Sequence, residues 1–355
     1  MRGMRRRWVF VTILLLLLDA CVQSGPRGPT RSHEAGSTPG PTGSVPSTRP
    51  TRPTTRTPSF VPSQLAFLDA THGLAGGQML TRTCDWKCPS AIKATSDGGR
   101  TWHVVYRIPG PVTSLTASGP DQVWALAARC YGQGCPSQVL ASSDGGRKWT
   151  QVGGPLLGFS ALSFVAPNLG WALRFEGSAW VLTKTTDGAR TWRTIGRPCP
   201  REAQGASLRF VSPVRGWLLC ASEPGAGMQP KVLLATADGG KSWRRVAGEW
   251  VSSQGSGVPA GGLKTGGYPN SMFFLPDGHG WIGLNDDAVI LGTLDGGGTW
   301  RQIGGRVSEY QAGPLWFLDD SYGFAIAGSG DRLRLLSTRD GGRTWTAVHA
   351  WMGPI

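Results

Sequence analysis

Six aspartates recur in one setting along the chain: Asp97 in TSDGGRTW, Asp144 in SSDGGRKW, Asp187 in TTDGARTW, Asp238 in TADGGKSW, Asp295 in TLDGGGTW and Asp340 in TRDGGRTW. A carboxylate repeated this way could ligate a metal, act as a catalytic acid or base, or clip a turn. Calcium loops space their oxygen ligands as D-x-[DN]-x-[DN]-G, and no copy has that spacing. Catalytic carboxylates work together about one bond, whereas six copies dispersed over the chain share no single site. Turn chemistry explains every position. The Asp accepts main-chain N–H groups, the Ser or Thr two residues earlier adds a hydroxyl, and the glycines permit positive φ. The Trp ending each copy (Trp102, Trp149, Trp192, Trp243, Trp300 and Trp345) is free to pack between sheets. Ala189 stands where the other copies have a second glycine, so that glycine is a preference.

The elements that carry these turns are strands. The chain has 53 Gly and 16 Trp but only 16 % charged residues, which suits short strands, glycine turns and indoles between layers. The six aspartates are 47, 43, 51, 57 and 45 residues apart, the period of a four-stranded propeller blade. A second motif precedes each copy, as in FVAPNLGW (164–171), FVSPVRGW (210–217) and FLPDGHGW (274–281). It reads as strand, turn, strand; a third strand leads into the box and the Trp opens a fourth. The expectation is an all-β fold, one propeller of six four-stranded blades over residues 59–355, with seven blades disfavoured because no box-free interval holds another.

The pattern [ST]-x-D-x-G-x-x-W resembles the Asp-box, or bacterial neuraminidase repeat. Together with the preceding strand motif, the chain is most similar to the photosystem II stability/assembly factor-like propellers. That resemblance implies a non-catalytic binding or assembly role. The same box also occurs in sialidases, which makes a sialidase-like glycoside hydrolase the alternative. Tyr106–Pro109, YRIP, resembles the arginine motif of sialidases, but it follows the first box where theirs precedes it. Glu176, Asp286, Asp287 and Asp331 are the acids that a hydrolase could use, and Glu309 beside Tyr310 is the one adjacent Tyr–Glu pair. No spacing asks for a metal or a cofactor.

Residues 1–21 read as a leader. MRGMRRR is a basic head, WVFVTILLLLL an apolar run, and LDAC resembles the lipobox of bacterial lipoproteins, with Cys21 as the lipidated residue. Residues 22–58, rich in Pro, Gly, Ser, Thr and Arg, bury too little apolar area to fold and read as a disordered tether. Residues 1–58 hold nine arginines against Asp19 and Glu34, half of the net charge of +14. Such a cationic arm suits an anionic lipid or wall polymer; no nucleic-acid motif is present, and a monomer is expected. An exported chain meets an oxidising compartment, so the six other cysteines are expected as disulfides Cys84–Cys88, Cys130–Cys135 and Cys199–Cys220.

Strand alternation sorts the loops. Turns between first and second strands share a face with the boxes. Loops between second and third strands, and links between blades, share the other. The cysteine loops and the long insertion 248–271 fall on that second face, as do Arg82, Arg107, Arg129 and Arg174 by strand counting. With Trp250 and Tyr268 from the insertion, these arginines form the candidate surface for a protein or anionic polymer.

Overall fold

Apolar, β-branched and small residues in short runs, separated by turns rich in glycine and aspartate, give strands and almost no helix. The computed structural model describes residues 59–352, except 82–83, 85–86, 133, 251–259, 309–310 and 330–331. Six four-stranded antiparallel sheets form one β-propeller. The blades span Ser59–Ile108, Val112–Leu156, Phe159–Gly196, Gly205–Glu249, Tyr268–Ile303 and Gln311–Met352. Burial peaks in the two middle strands of a blade and is least in the outermost. In blade two the second strand, Val123–Ala128, is wholly buried, while the outer strand, Thr150–Leu156, is mostly exposed. Each blade is one contiguous stretch, so the ring closes without strand exchange. The inner strand of blade one (Ser59–Phe67) packs on the inner and outer strands of blade six (Gln311–Phe317 and Thr346–Met352). Phe67 stacks on Phe324 at 3.5 Å across that closure.

One aromatic unit repeats at the blade junctions. At five of the six junctions the aromatic residue that ends the strand motif of one blade stacks on the inner-strand Phe of the next. The pairs are Phe324 on Phe67, Trp124 on Phe164, Trp171 on Phe210, Trp217 on Phe274 and Trp281 on Phe317, with centroids 3.5–4.1 Å apart. Each Phe can lie flat because its cross-strand partner is glycine, as in Phe210 opposite Gly216. A Cβ at Gly216 would sit 2.6 Å from the Phe210 ring. Blade two inverts the pair: Ala117 stands opposite Val123. The bulk moves from one strand to the other and the volume is kept.

The boxes act as clips. Asp97 Oδ1 accepts from the Thr95 hydroxyl (2.7 Å) and the Thr101 N–H (2.9 Å), and Oδ2 accepts from the Thr101 hydroxyl (2.6 Å). Asp187, Asp238, Asp295 and Asp340 repeat the set. Asp144 lacks the last bond because Lys148 has no hydroxyl. The Thr191 hydroxyl, the Thr191 N–H and Thr185 hold the Asp187 carboxyl down to about 2, and the Thr344 hydroxyl leads the same effect on Asp340, also to about 2.

Box three differs where the sequence differs. Ala189 adopts φ 74°, and the Trp192 indole N–H has no acceptor, whereas the other five box tryptophans donate to the carbonyl at that glycine position. Glycine is required more strictly at Gly99, where a Cβ would lie 2.2 Å from Leu335 Cδ2. Leu335 lies three residues before the box Thr338 of the preceding blade. The matching residue ahead of box three is Val139, one methylene shorter and buried in the same cluster as Ala189.

Candidate binding surface on the loop face

The first glycine amide of every box donates to a carbonyl of the turn between first and second strands, as in Gly98 to Thr71 (2.9 Å) and Gly341 to Ser321 (2.8 Å). Boxes and these turns therefore share a face, and the remaining loops form the other. Three disulfides clip that loop face, Cys84–Cys88, Cys130–Cys135 and Cys199–Cys220, with the expected pairings. Their presence indicates an oxidising, extracytoplasmic environment. The Tyr131 hydroxyl donates to the Cys88 carbonyl and accepts from Gln78, which ties the first two cysteine loops together.

The candidate residues have different fates. Arg129 follows the second strand of blade two and is exposed. Arg107 lies within the outer strand of blade one (His103–Ile108), not after it, and is also exposed. Arg174, in the second strand of blade three (Leu169–Glu176), is drawn to Glu176 at 3.2 Å, and Arg197 joins the same carboxylate at 3.0 Å. The Tyr268 hydroxyl accepts from the Gly227 N–H (2.9 Å), stapling the loop of blade four to blade five. Trp250 packs partly buried on the cluster that contains Cys199 and Cys220. Arg82, Cys21, the leader and the tether lie outside the described residues, as do Glu309, Tyr310 and Asp331. The YRIP segment runs along an outermost strand, where Tyr106 faces Trp149 (6.4 Å) and Ile108 is buried.

Three features here were missed from sequence. Leu157 (62 % exposed) lies in the link into blade three and Phe175 (39 %) near the tip of its second strand, where the Phe175 N–H donates to the Gly158 carbonyl (2.8 Å). Trp180 stands edge-on to Phe175, while Arg174 and Glu176, its neighbours along the strand, pair with each other and with Arg197. Their signal was an apolar residue at a link and a hairpin tip, which periodicity cannot separate from core. Second, Lys231 is fully buried and its ammonium donates to the carbonyls of Lys264 (2.8 Å), Thr265 (3.2 Å) and Gly266 (3.2 Å), fixing the chain that follows the long insertion. Burial pushes its pKa down to about 8, with Asp287 opposing. Third, Arg209, on the inner strand of blade four (Gly205–Phe210), lies 4.1 Å over the Phe273 ring and 5.4 Å from Trp316, and burial lowers its pKa to about 10.

All carboxyl groups with displaced pKa values are displaced downward by hydrogen bonds that outweigh burial: Asp69, the six box aspartates and Asp319. Among the described residues, no three His, Cys, Asp or Glu side chains stand together as a metal site.

No protein-family model matches the chain, and no curated protein does. Solved structures match its fold. The Hadza microbial sialidase Hz136 superposes with a TM-score of 0.52 at 14 % identity, over 81 % of this chain and 65 % of that one. A GH74 xyloglucanase from Xanthomonas campestris gives 0.51 at 14 %, over 82 % of this chain and 45 % of that one. YCF48 bound to D1 peptide gives 0.46 at 18 %, over 82 % and 81 %. The propeller is what the sialidase and the xyloglucanase share with the chain; at such identities chemistry does not follow from fold.

Proposed function

We propose that the chain is a non-catalytic, extracytoplasmic binding module, tethered to a membrane through lipid on Cys21, whose loop face captures a protein or anionic polymer. The observation that carries this reading is the exposure of Leu157 and Phe175 at the loop end of blade three, where Arg174, Arg197 and Glu176 also gather. Single exposed apolar residues are ordinary on a protein surface. Two exposed apolar side chains and an ion-pair cluster at one end of a blade give the mixed apolar and charged composition of an interface. Arg129 and Arg107 add exposed positive charge without an ion pair among the described residues.

A glycoside hydrolase needs two carboxyl groups astride the bond, one of them held protonated by a raised pKa. The displaced carboxyls shift the other way, and Glu176 is engaged by two arginines. The test compares wild type with a Phe175→Asp/Arg129→Glu variant for capture of partner on intact cells, alongside a panel of fluorogenic sialosides and glycosides. Loss of capture with an unchanged melting midpoint and a silent panel is expected. Unchanged capture, or turnover abolished by Glu176→Gln, would sink the reading.

A further inference from the structure

On the opposite face, two grooves between successive boxes differ in their lining. The groove between blades six and one, about 490 Å³, is lined by hydroxyls, small side chains, Arg100 and Arg339. The Arg100 guanidinium folds back on its own box and donates to the Asp97 carbonyl (2.8 Å), as Arg190 and Arg343 do in theirs. Box five has Gly298 at that position. The groove between blades four and five, about 530 Å³, is instead lined by Trp217, Trp243, Arg215 and Arg244.

Its mouth carries one exposed apolar residue: Val214, 52 % exposed, lines it from the turn of blade four. Arg215 is held in place: its guanidinium stacks 4.9 Å over Trp217 and donates to the Pro276 carbonyl (2.8 Å). Arg244 is exposed on the outer strand (Arg244–Glu249). The lining carboxylate, Asp295, accepts from Thr293 and twice from Thr299, so its charge is met within its own turn.

We infer that the groove between blades four and five is a second binding site, for a short peptide segment carrying apolar side chains beside carboxylates. The exposed Val214 and the half-buried Trp243 supply the apolar contact, and Arg215 and Arg244 supply charge-assisted donors. The volume is in the range of ligand-sized clefts. Residues 22–58 of the chain itself, with five arginines and one acid, have the wrong sign to occupy it.

The test titrates the intact protein with a fluorescein-labelled octapeptide of alternating Leu and Glu, read by anisotropy, with a Leu–Lys octapeptide as control. Saturable binding of the acidic peptide is expected. Gly298→Arg, which restores the arginine that four other boxes fold back on themselves, weakens binding about tenfold or more, as does Arg244→Glu. Arg193→Glu, exposed on the outer strand of blade three, leaves it unchanged. Absence of saturable binding, equal binding of the Leu–Lys peptide, or indifference to Gly298→Arg would overturn the inference. So would self-association that Gly298→Arg abolishes without any peptide binding, since the groove would then belong to a second copy.

Discussion

Moving blade two's inverted pair into blade four tests how the junctions hold. Phe210 is buried, stacks on Trp171 at 3.8 Å and meets Trp243 edge-on at 6.1 Å. Phe210→Ala is expected to cost about 3–5 kcal/mol, as for other buried phenylalanines. Gly216→Val alone drives a Cβ to within 2.6 Å of that ring, an overpacking cost of about 1–3 kcal/mol. The strand preference of Val works the other way by under about 1 kcal/mol. In the double variant the Val methyls enter the space that the ring leaves, as Val123 does opposite Ala117. The double variant should therefore fall short of the summed costs by about 0.5–3 kcal/mol. Recovery stays partial, because two aromatic contacts worth about 0.5–1.5 kcal/mol each are gone. Urea midpoints followed by both tryptophan fluorescence and far-ultraviolet dichroism read the cycle, with coincident curves required. An additive double variant, or a neutral Gly216→Val, would refute the reciprocal packing of these positions.

Gly99→Ala imposes φ 91° on a residue with a side chain and sets its Cβ 2.2 Å from Leu335, for an expected loss of about 2–5 kcal/mol. Leu335→Val in the same background recovers part of that loss in thermal melts, whereas Ala189→Gly shifts the midpoint little. Acid acts through the boxes. Asp187 and Asp340 have carboxyls at about 2 in the folded chain against 3.8 unfolded, so their contribution is complete above about pH 4 and is lost as pH falls through 2. The melting midpoint should be flat in this respect from pH 5 to 7 and drop between pH 4 and 2. Asp187→Asn combined with Asp340→Asn should shrink that drop.

The repeat made most of the fold legible. A box aspartate, its hydroxyl partner two residues earlier and the glycines between them encode the clip locally, so blade number, strand order and the two faces follow from spacing. The compensations between blades were not legible. Ala117 opposite Val123 reads as a decayed motif until the strand register puts them face to face, and Ala189 reads as a tolerated slip until Val139 is found in its cluster. The candidate site was legible only in its charge. Strand counting put Arg129 and Arg174 on the loop face, but the pairing of Arg174 with Glu176, and Arg197's share in it, depend on contacts 21 residues apart or on rotamers that spacing does not encode. Leu157 and Phe175 look like core in any linear pattern, and Lys231 looks like a solvated strand end although it is buried among three carbonyls.

The loop-face claim is tested most directly by photo-crosslinking on intact cells, with a benzophenone amino acid in place of Phe175 or, on the box face, Asp320. The account expects one discrete adduct from position 175, lost on adding Arg174→Glu and Arg197→Glu, and none from position 320. Adducts from position 320 alone, or an adduct at 175 indifferent to those two arginines, would contradict it.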